Sequence, residues 1–204
     1  MLISVVKVNS YKLPLKDKTI YLDIGHGGVD NGASYNELTE DKLNLKIGYL
    51  LKSSLENKGA TVYMTRYDDY DLSNIDVNRR KKSDLYNRIK TINNSDADIY
   101  LSIHLNSTTS SRWNGIQLFY NNINSNNKLL ANKIKESLNN KRENKLINDY
   151  MYRNIYKTGI LIELGFISNS EDRNILLNDE LLEDKITRIS NGVVNYFVNQ
   201  GVNV

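Results

Sequence analysis

Residues 19–28, TIYLDIGHGG, decide how the rest of the chain is read. Thr19 to Ile24 is apolar apart from Thr19 and Asp23 and reads as a buried strand. Gly25, Gly27 and Gly28 then supply the backbone freedom for a turn close to a ligand. His26 therefore sits where a strand leaves a sheet, and open α/β sheets bind ligands outside the carboxyl ends of their strands. Reading outward, helical and extended patterns alternate. Segment 40–57 places Leu43, Ile47, Leu50, Leu51 and Leu55 at helical spacing, with Thr39 as N-cap and Gly59 as terminator. Strands are predicted at 60–66, 98–103, 115–120 and 159–164. Helices are predicted at 76–94 and 126–140, and two more helical stretches close the chain, the second over 181–198. Segment 67–75 reads as an Asp-rich polar loop, and the Asn-rich 121–127 as a solvated one. The alternation predicts an α/β fold: a single three-layer domain with a mostly parallel twisted sheet of about six strands flanked by helices.

The chain has 204 residues, 40% hydrophobic and 25% charged, which suits one domain with a sizeable core. A net charge of +3 with no dominant basic block lends no support to nucleic-acid binding. The run Arg79 to Lys82 reads as a solvated helix face. There is no cysteine, which excludes disulfides, thiolate-bound zinc and thiol catalysis together. No segment is long enough to span a membrane, and the apolar run at the start is too short for a signal-peptide core. Residues 1–18 are read as an N-terminal extension, a candidate remnant of a removed export segment, and 19–200 as the single domain.

The chain has only two histidines. His104 closes 97–107, ADIYLSIHLNS, a second apolar strand running into a polar loop. A neutral imidazole is the commonest metal ligand, so two of them at strand ends raise the question of one shared ion. Glu163 interrupts the apolar strand GILIEL, and a buried carboxylate must be paired, protonated or beside a metal. The plainer alternative is an ion pair with Arg66 or Arg153. Zinc hydrolases keep three protein ligands and leave one place for water. With two histidines available, the third ligand should be a carboxylate. Glu40 is best placed, at the start of the helix after the Gly-rich loop, although a first-turn acid also suits the helix dipole. Glu37 and Asp30 compete on spacing alone. Trp113 is a candidate for stacking on a sugar ring, Asn106 for orienting a loop or a substrate amide, and Arg66 for fixing the sheet edge.

Taken in order, TIYLDIGHGGVDNGA (19–33), LTEDKLNL (38–45), VYMTRYDD (62–69), ADIYLSIHLNS (97–107) and ILIELGFISNSED (160–172) resemble the motifs of zinc-dependent N-acetylmuramoyl-L-alanine amidases of the amidase-3 type. The likeness runs over about 19–198. It implies one zinc ion on His26, Glu40 and His104, with Glu163 as the catalytic acid–base. It implies hydrolysis of the bond between N-acetylmuramic acid and L-alanine in peptidoglycan. DIGHGG lacks the proline more usual before the glycine, and TEDKLNL swaps basic and acidic residues after the ligand position; neither touches a ligand. SSRWNGIQLFY (110–120) and RRKKSDLYNR (79–88) look most like germination-specific, spore-cortex amidases. The stretch between Tyr120 and Glu163 is too short for the helical plug of some relatives. The resemblance further implies export to the cell-wall or spore-cortex side of the membrane and an activator or localising protein partner. The rival readings are a vegetative autolysin or phage lysin with the same chemistry, a zinc exopeptidase, and a wall-binding module without turnover.

Overall fold

A computed structural model describes residues 13–74 and 78–200. In chain order its elements begin with β1 (Thr19–Ile24), the short β2 (Ser34–Tyr35) and β3 (Leu38–Thr39), α1 (Glu40–Glu56) and β4 (Thr61–Met64). There follow α2 (Arg80–Asn93), β5 (Ile99–Asn106), β6 (Gln117–Tyr120), α3 (Ser125–Leu138) and β7 (Lys145–Leu146). The chain continues with α4 (Tyr150–Arg153), β8 (Thr158–Phe166), α5 (Ser170–Leu177) and α6 (Asp179–Gln200). Six strands form one sheet in the order β4-β1-β5-β8-β6-β7. β4, β1, β5 and β8 are mutually parallel, β6 returns antiparallel beside β8, and β7 follows β6 in parallel. This is the α/β class expected, with helices on both faces.

The two faces are set by strand alternation. Ile20, Leu22 and Ile24 of β1, Leu101 and Ile103 of β5, and Ile160 and Ile162 of β8 meet apolar residues of α1, α3 and α6. On the other face Tyr100 and Leu161 meet Ile89 and Ile92 of α2 and Met151, Tyr152 and Ile155 at α4. Ile160 and Ile162 are 1% and 0% exposed, and each such side chain contributes about 1.5–3 kcal/mol on burial. The middle strands are thereby rigid, and their carboxyl ends form a firm rim.

Several boundaries differ from expectation for identifiable reasons. β4 stops at Met64 because the Thr65 hydroxyl accepts from the Ile24 N–H at 2.9 Å and Arg66 turns inward. β5 runs on through His104 to Asn106 because it stays paired with β8, with an irregularity between His104 and Asn106. The helix expected over 76–94 starts at Arg80; Asp76 and Val77 lie outside the described residues. Thr39 occupies the N-cap of α1, but its hydroxyl caps nothing. The first helical N–H groups go instead to carbonyls of the preceding loop, Glu40 N–H to Ala33 at 2.8 Å and Asp41 N–H to Asn31 at 3.2 Å.

One reading is corrected in part. In the 121–127 segment Asn122, Ile123 and Ser125 are exposed as a solvated loop requires, but Asn121 and Asn127 are 4% and 0% exposed. Asn127 donates to Asn121 Oδ1 at 2.9 Å and accepts from the Gly159 N–H at 2.8 Å, so it ties α3 to β8. Asn124 caps α3 through the Asn126 N–H. Residues 13–18, assigned to the extension, lie against the α1–β4 turn: Leu15 is buried and its N–H reaches the Lys58 carbonyl at 2.9 Å. No helix among the described residues is long and apolar enough to cross a membrane.

Candidate metal centre

His26 lies just beyond β1 and is itself in the left-handed region, φ 63°. That conformation is uncommon for a residue with a Cβ, though histidine adopts it more readily than most. It lets the ring swing back over the sheet edge. Glu40 is the first residue of α1, and His104 sits in β5 directly in register with Glu163 of β8. The Glu40 Oε1 atom is 3.1 Å from His26 Nε2 and 2.9 Å from His104 Nδ1. The two rings meet edge to face with centroids 4.9 Å apart. One ligand atom from each of the three residues lies within 4.8 Å of the others, an arrangement that could hold a metal.

Two glycines make room for this cluster. A Cβ on Gly25 would overlap the His104 ring, so no other residue fits there without moving the imidazole. At Gly32, φ 65°, a Cβ would lie 2.6 Å from Glu40 Oε2 and 2.7 Å from His26 Cδ2. Gly25 thus serves by close approach, whereas Gly27 and Gly28 do take positive φ as the turn reading requires.

Glu40 is fixed from several sides. Its Oε2 accepts from the Ala33 N–H at 2.8 Å and its Oε1 from the Leu105 N–H at 3.0 Å. Burial alone would raise its pKa, but hydrogen bonds to His104 and His26 outweigh that and hold the carboxyl well below the usual range. It is an anion, only 3% exposed, aimed between two imidazoles. Glu163 is the opposite case. Burial pushes its pKa up to about 7, with the histidines pulling it down and the Glu40 charge raising it again. Its Oε2 is buried and has no hydrogen-bond partner among the described residues. The two carboxyls in one small space are therefore set apart in acidity, the pattern expected of an acid–base pair with separate tasks.

Beneath the cluster runs a buried polar layer of which the sequence reading named only Arg66. Arg88 of α2 pairs with Asp23 and Asp84, each at 2.8 Å, and donates to the carbonyls of Ile24 at 2.5 Å and His26 at 2.8 Å. Ser102 donates to Asp23 at 2.6 Å and lies 3.1 Å from the Tyr152 hydroxyl. Arg66, fully buried, donates to the carbonyls of Ile24, Gly25, Asp41 and Asp68. Among the described residues neither Arg66 nor Arg153 pairs with Glu163. Asp23 and Ser102 each interrupt an otherwise apolar strand, and that interruption was the available signal.

The remaining candidates fall on both sides of the cluster. Asp30 lies 3.1 Å from His26 Nδ1, on the far side of the ring from Glu40. Glu37 lies outside the cluster. Asn106 ends β5, where its carbonyl accepts from the Ile167 N–H at 2.9 Å. Trp113 is 56% exposed with the Arg142 guanidinium 5.6 Å from its ring centroid. Its loop is pinned to the start of α5 by Gly115 N–H to Asp172 at 2.8 Å and by Asn169 to the Ser111 carbonyl at 2.6 Å. Arg80 pairs with Asp71 at 2.6 Å, and the basic run at the start of α2 is exposed, as expected of a solvated face.

An α/β sheet whose carboxyl edge brings together three side chains that could hold a metal, beside a glutamate of the neighbouring strand, has the frame of a hydrolase. Residues 20–195 match the Amidase_3 family, N-acetylmuramoyl-L-alanine amidase, and the chain belongs to that family. It is an enzyme that hydrolyses the amide between N-acetylmuramic acid and L-alanine in peptidoglycan. The chain is 37% identical over 200 residues to the germination-specific N-acetylmuramoyl-L-alanine amidase of Bacillus subtilis, covering 94% of this chain and 84% of that protein. Among solved structures it is similar to the CwlD amidase of Clostridioides difficile in complex with the GerS lipoprotein. That likeness has a TM-score of 0.85 and 34% identity over 90% of this chain and all of the other. The catalytic domain of CwlV, an amidase of Bacillus (Paenibacillus) polymyxa, follows with a TM-score of 0.76 and 27% identity, covering 88% and 97% of the two chains.

Proposed function

We propose that this chain is a zinc amidase in which His26, Glu40 and His104 hold one ion and Glu163 is the catalytic acid–base. The observation that carries the proposal is the pairing of a pre-oriented, ionised Glu40 between two imidazoles with a neighbouring glutamate whose Oε2 has no partner among the described residues. Two ring nitrogens and one carboxylate oxygen suit zinc, whereas calcium and magnesium favour all-oxygen sets. When bound, zinc would polarise the scissile carbonyl and acidify the attacking water toward a pKa of roughly 7.

The chain's own residues divide the remaining work. Glu163, with a pKa of about 7, is poised to take the water proton and return it to the departing L-alanine nitrogen. Such acid–base assistance is worth about 10²- to 10⁴-fold. The buried arginines hold the backbone that carries His26. Trp113 offers an exposed aromatic face to a sugar, and Asn106 is poised to orient the strand end or the substrate amide.

The test compares Glu163→Ala with His26→Ala and His104→Ala. Glu163→Ala should keep zinc and lose about 10²- to 10⁴-fold in turnover, while the histidine variants should lose both. Loss of zinc in Glu163→Ala together with its retention in Glu40→Ala would reverse the division of roles. The biological setting we propose is the spore cortex, where the product would feed muramic-lactam formation needed for germination; the germination-specific relative supports this. The enzyme then works outside the cytoplasm. A lipoprotein or similar activator is its proposed partner, as the complex of the Clostridioides relative suggests. Digestion of cortex and vegetative peptidoglycan, with products read by mass, tests the assignment. Equal rates on both would favour a vegetative autolysin or phage lysin. Release of free amino acids from peptides would indicate an exopeptidase.

A further inference from the structure

We propose that Asp30 is a positioning residue for the metal centre, which fixes the tautomer of His26 so that Nε2 is the ligating nitrogen. The proposal rests on the zinc reading above. The two histidines present different nitrogens to Glu40: His104 offers Nδ1 at 2.9 Å, but His26 offers Nε2 at 3.1 Å. A neutral imidazole has one N–H and one lone pair, so something must decide which nitrogen of His26 keeps the proton. Asp30 Oδ2 lies 3.1 Å from His26 Nδ1, across the ring from Glu40. An ionised carboxylate only accepts, so this contact requires the proton on Nδ1 and leaves the Nε2 lone pair facing the cluster.

Asp30 is itself held for this task. Its other oxygen, Oδ1, accepts from the Gly32 N–H at 3.1 Å. Its backbone bridges to Gly27, with Gly27 N–H to Asp30 O at 2.9 Å and Asp30 N–H to Gly27 O at 3.1 Å. The four-residue step from His26 to Asp30 is thus a closed loop, tied at both backbone and side chain. The carboxylate that competed for a ligand place on spacing turns out to face the wrong nitrogen for ligation and the right one for orientation. Outer partners of this kind typically change metal affinity about 10- to 100-fold when removed.

The experiment measures zinc dissociation constants by competition with a chromophoric chelator, for the wild type, Asp30→Ala, Asp30→Asn and His26→Ala. Asp30→Ala should weaken zinc about 10- to 100-fold. Asp30→Asn keeps an acceptor oxygen and should recover part of that loss. Imidazole ¹⁵N spectra of the zinc-loaded wild type should show His26 protonated at Nδ1 and metal-shifted at Nε2. With only two histidines in the chain, the His26→Ala spectrum assigns the signals. An Asp30→Ala constant within about twofold of the wild type, equal losses in Ala and Asn, or ligation of His26 through Nδ1 would each overturn the inference. Failure of the wild type to bind zinc more tightly than His26→Ala would instead overturn the metal reading itself.

Discussion

Gly25 lies against the His104 imidazole so closely that a methyl group cannot share the space. Gly25→Ala should therefore displace the ring while leaving the strands paired. A misplacement of about 1 Å at a catalytic centre costs about 10²-fold in rate, and zinc content should fall with it. Activity and bound zinc in Gly25→Ala, compared with the circular dichroism of the fold, check this. Asp23 supports a different prediction. It is fully buried; burial would raise its pKa, but the charge of Arg88 and the hydrogen bond from Ser102 hold it below the ordinary 3.8. A carboxyl whose folded pKa is depressed stabilises the fold above its unfolded pKa, and that contribution is lost as pH falls through the folded value. Acid unfolding should thus draw on Asp23 below about pH 4, and Asp23→Asn should flatten that limb in a pH series of denaturant midpoints.

α2 reaches the site through one side chain. Arg88 spans from the helix to Asp23 and to the carbonyls of Ile24 and His26, so it couples α2 to the end of β1. Arg88→Met leaves Asp23 and Asp84 buried without a cation, and breaking such a pair costs about 3–5 kcal/mol. Urea unfolding of Arg88→Met should show that loss, and an unchanged midpoint would contradict the coupling. The 121–127 segment makes a similar point for α3 and β8. Asn127→Leu would orphan the Gly159 N–H and remove one of the two donors to Asn121 Oδ1, a cost of about 1–3 kcal/mol readable in the same assay. Neither role follows from hydrophobic periodicity. Arg88 lies in the helix predicted over 76–94, six residues beyond a run that reads as a solvated face, and Asn127 in a stretch that reads as solvated loop. Both are buried because partners distant in sequence, Asp23 and Gly159, need exactly the groups they carry.

Across the whole molecule, metal and fold should be linked. A ligand that binds only the folded state stabilises it by about 2.7 kcal/mol at a hundred times its dissociation constant. Zinc should therefore raise the melting temperature of the wild type, a chelator should reverse the rise, and His104→Ala should respond to neither. The α/β class, the strand-end histidines and the glutamate in an apolar strand were legible in the chain itself, because periodicity and the cost of burying a carboxylate are local properties. The same holds for the absence of cysteine, which left only imidazole and carboxylate for any metal. Ordered motifs then pointed to the amidase family, and the match over residues 20–195 bears that out. Other features depended on groups far apart in sequence being brought within hydrogen-bond reach. Spacing alone left Asp30, Glu37 and Glu40 as rivals; the packed loop set Glu40 between the two rings and Asp30 behind one of them. The arginine layer under the site and the glycine that admits His104 likewise exist only once β1, α2 and β5 are side by side. Which carboxylate faces which nitrogen is a matter of a few ångströms in three dimensions, and no one-dimensional pattern carries that distance.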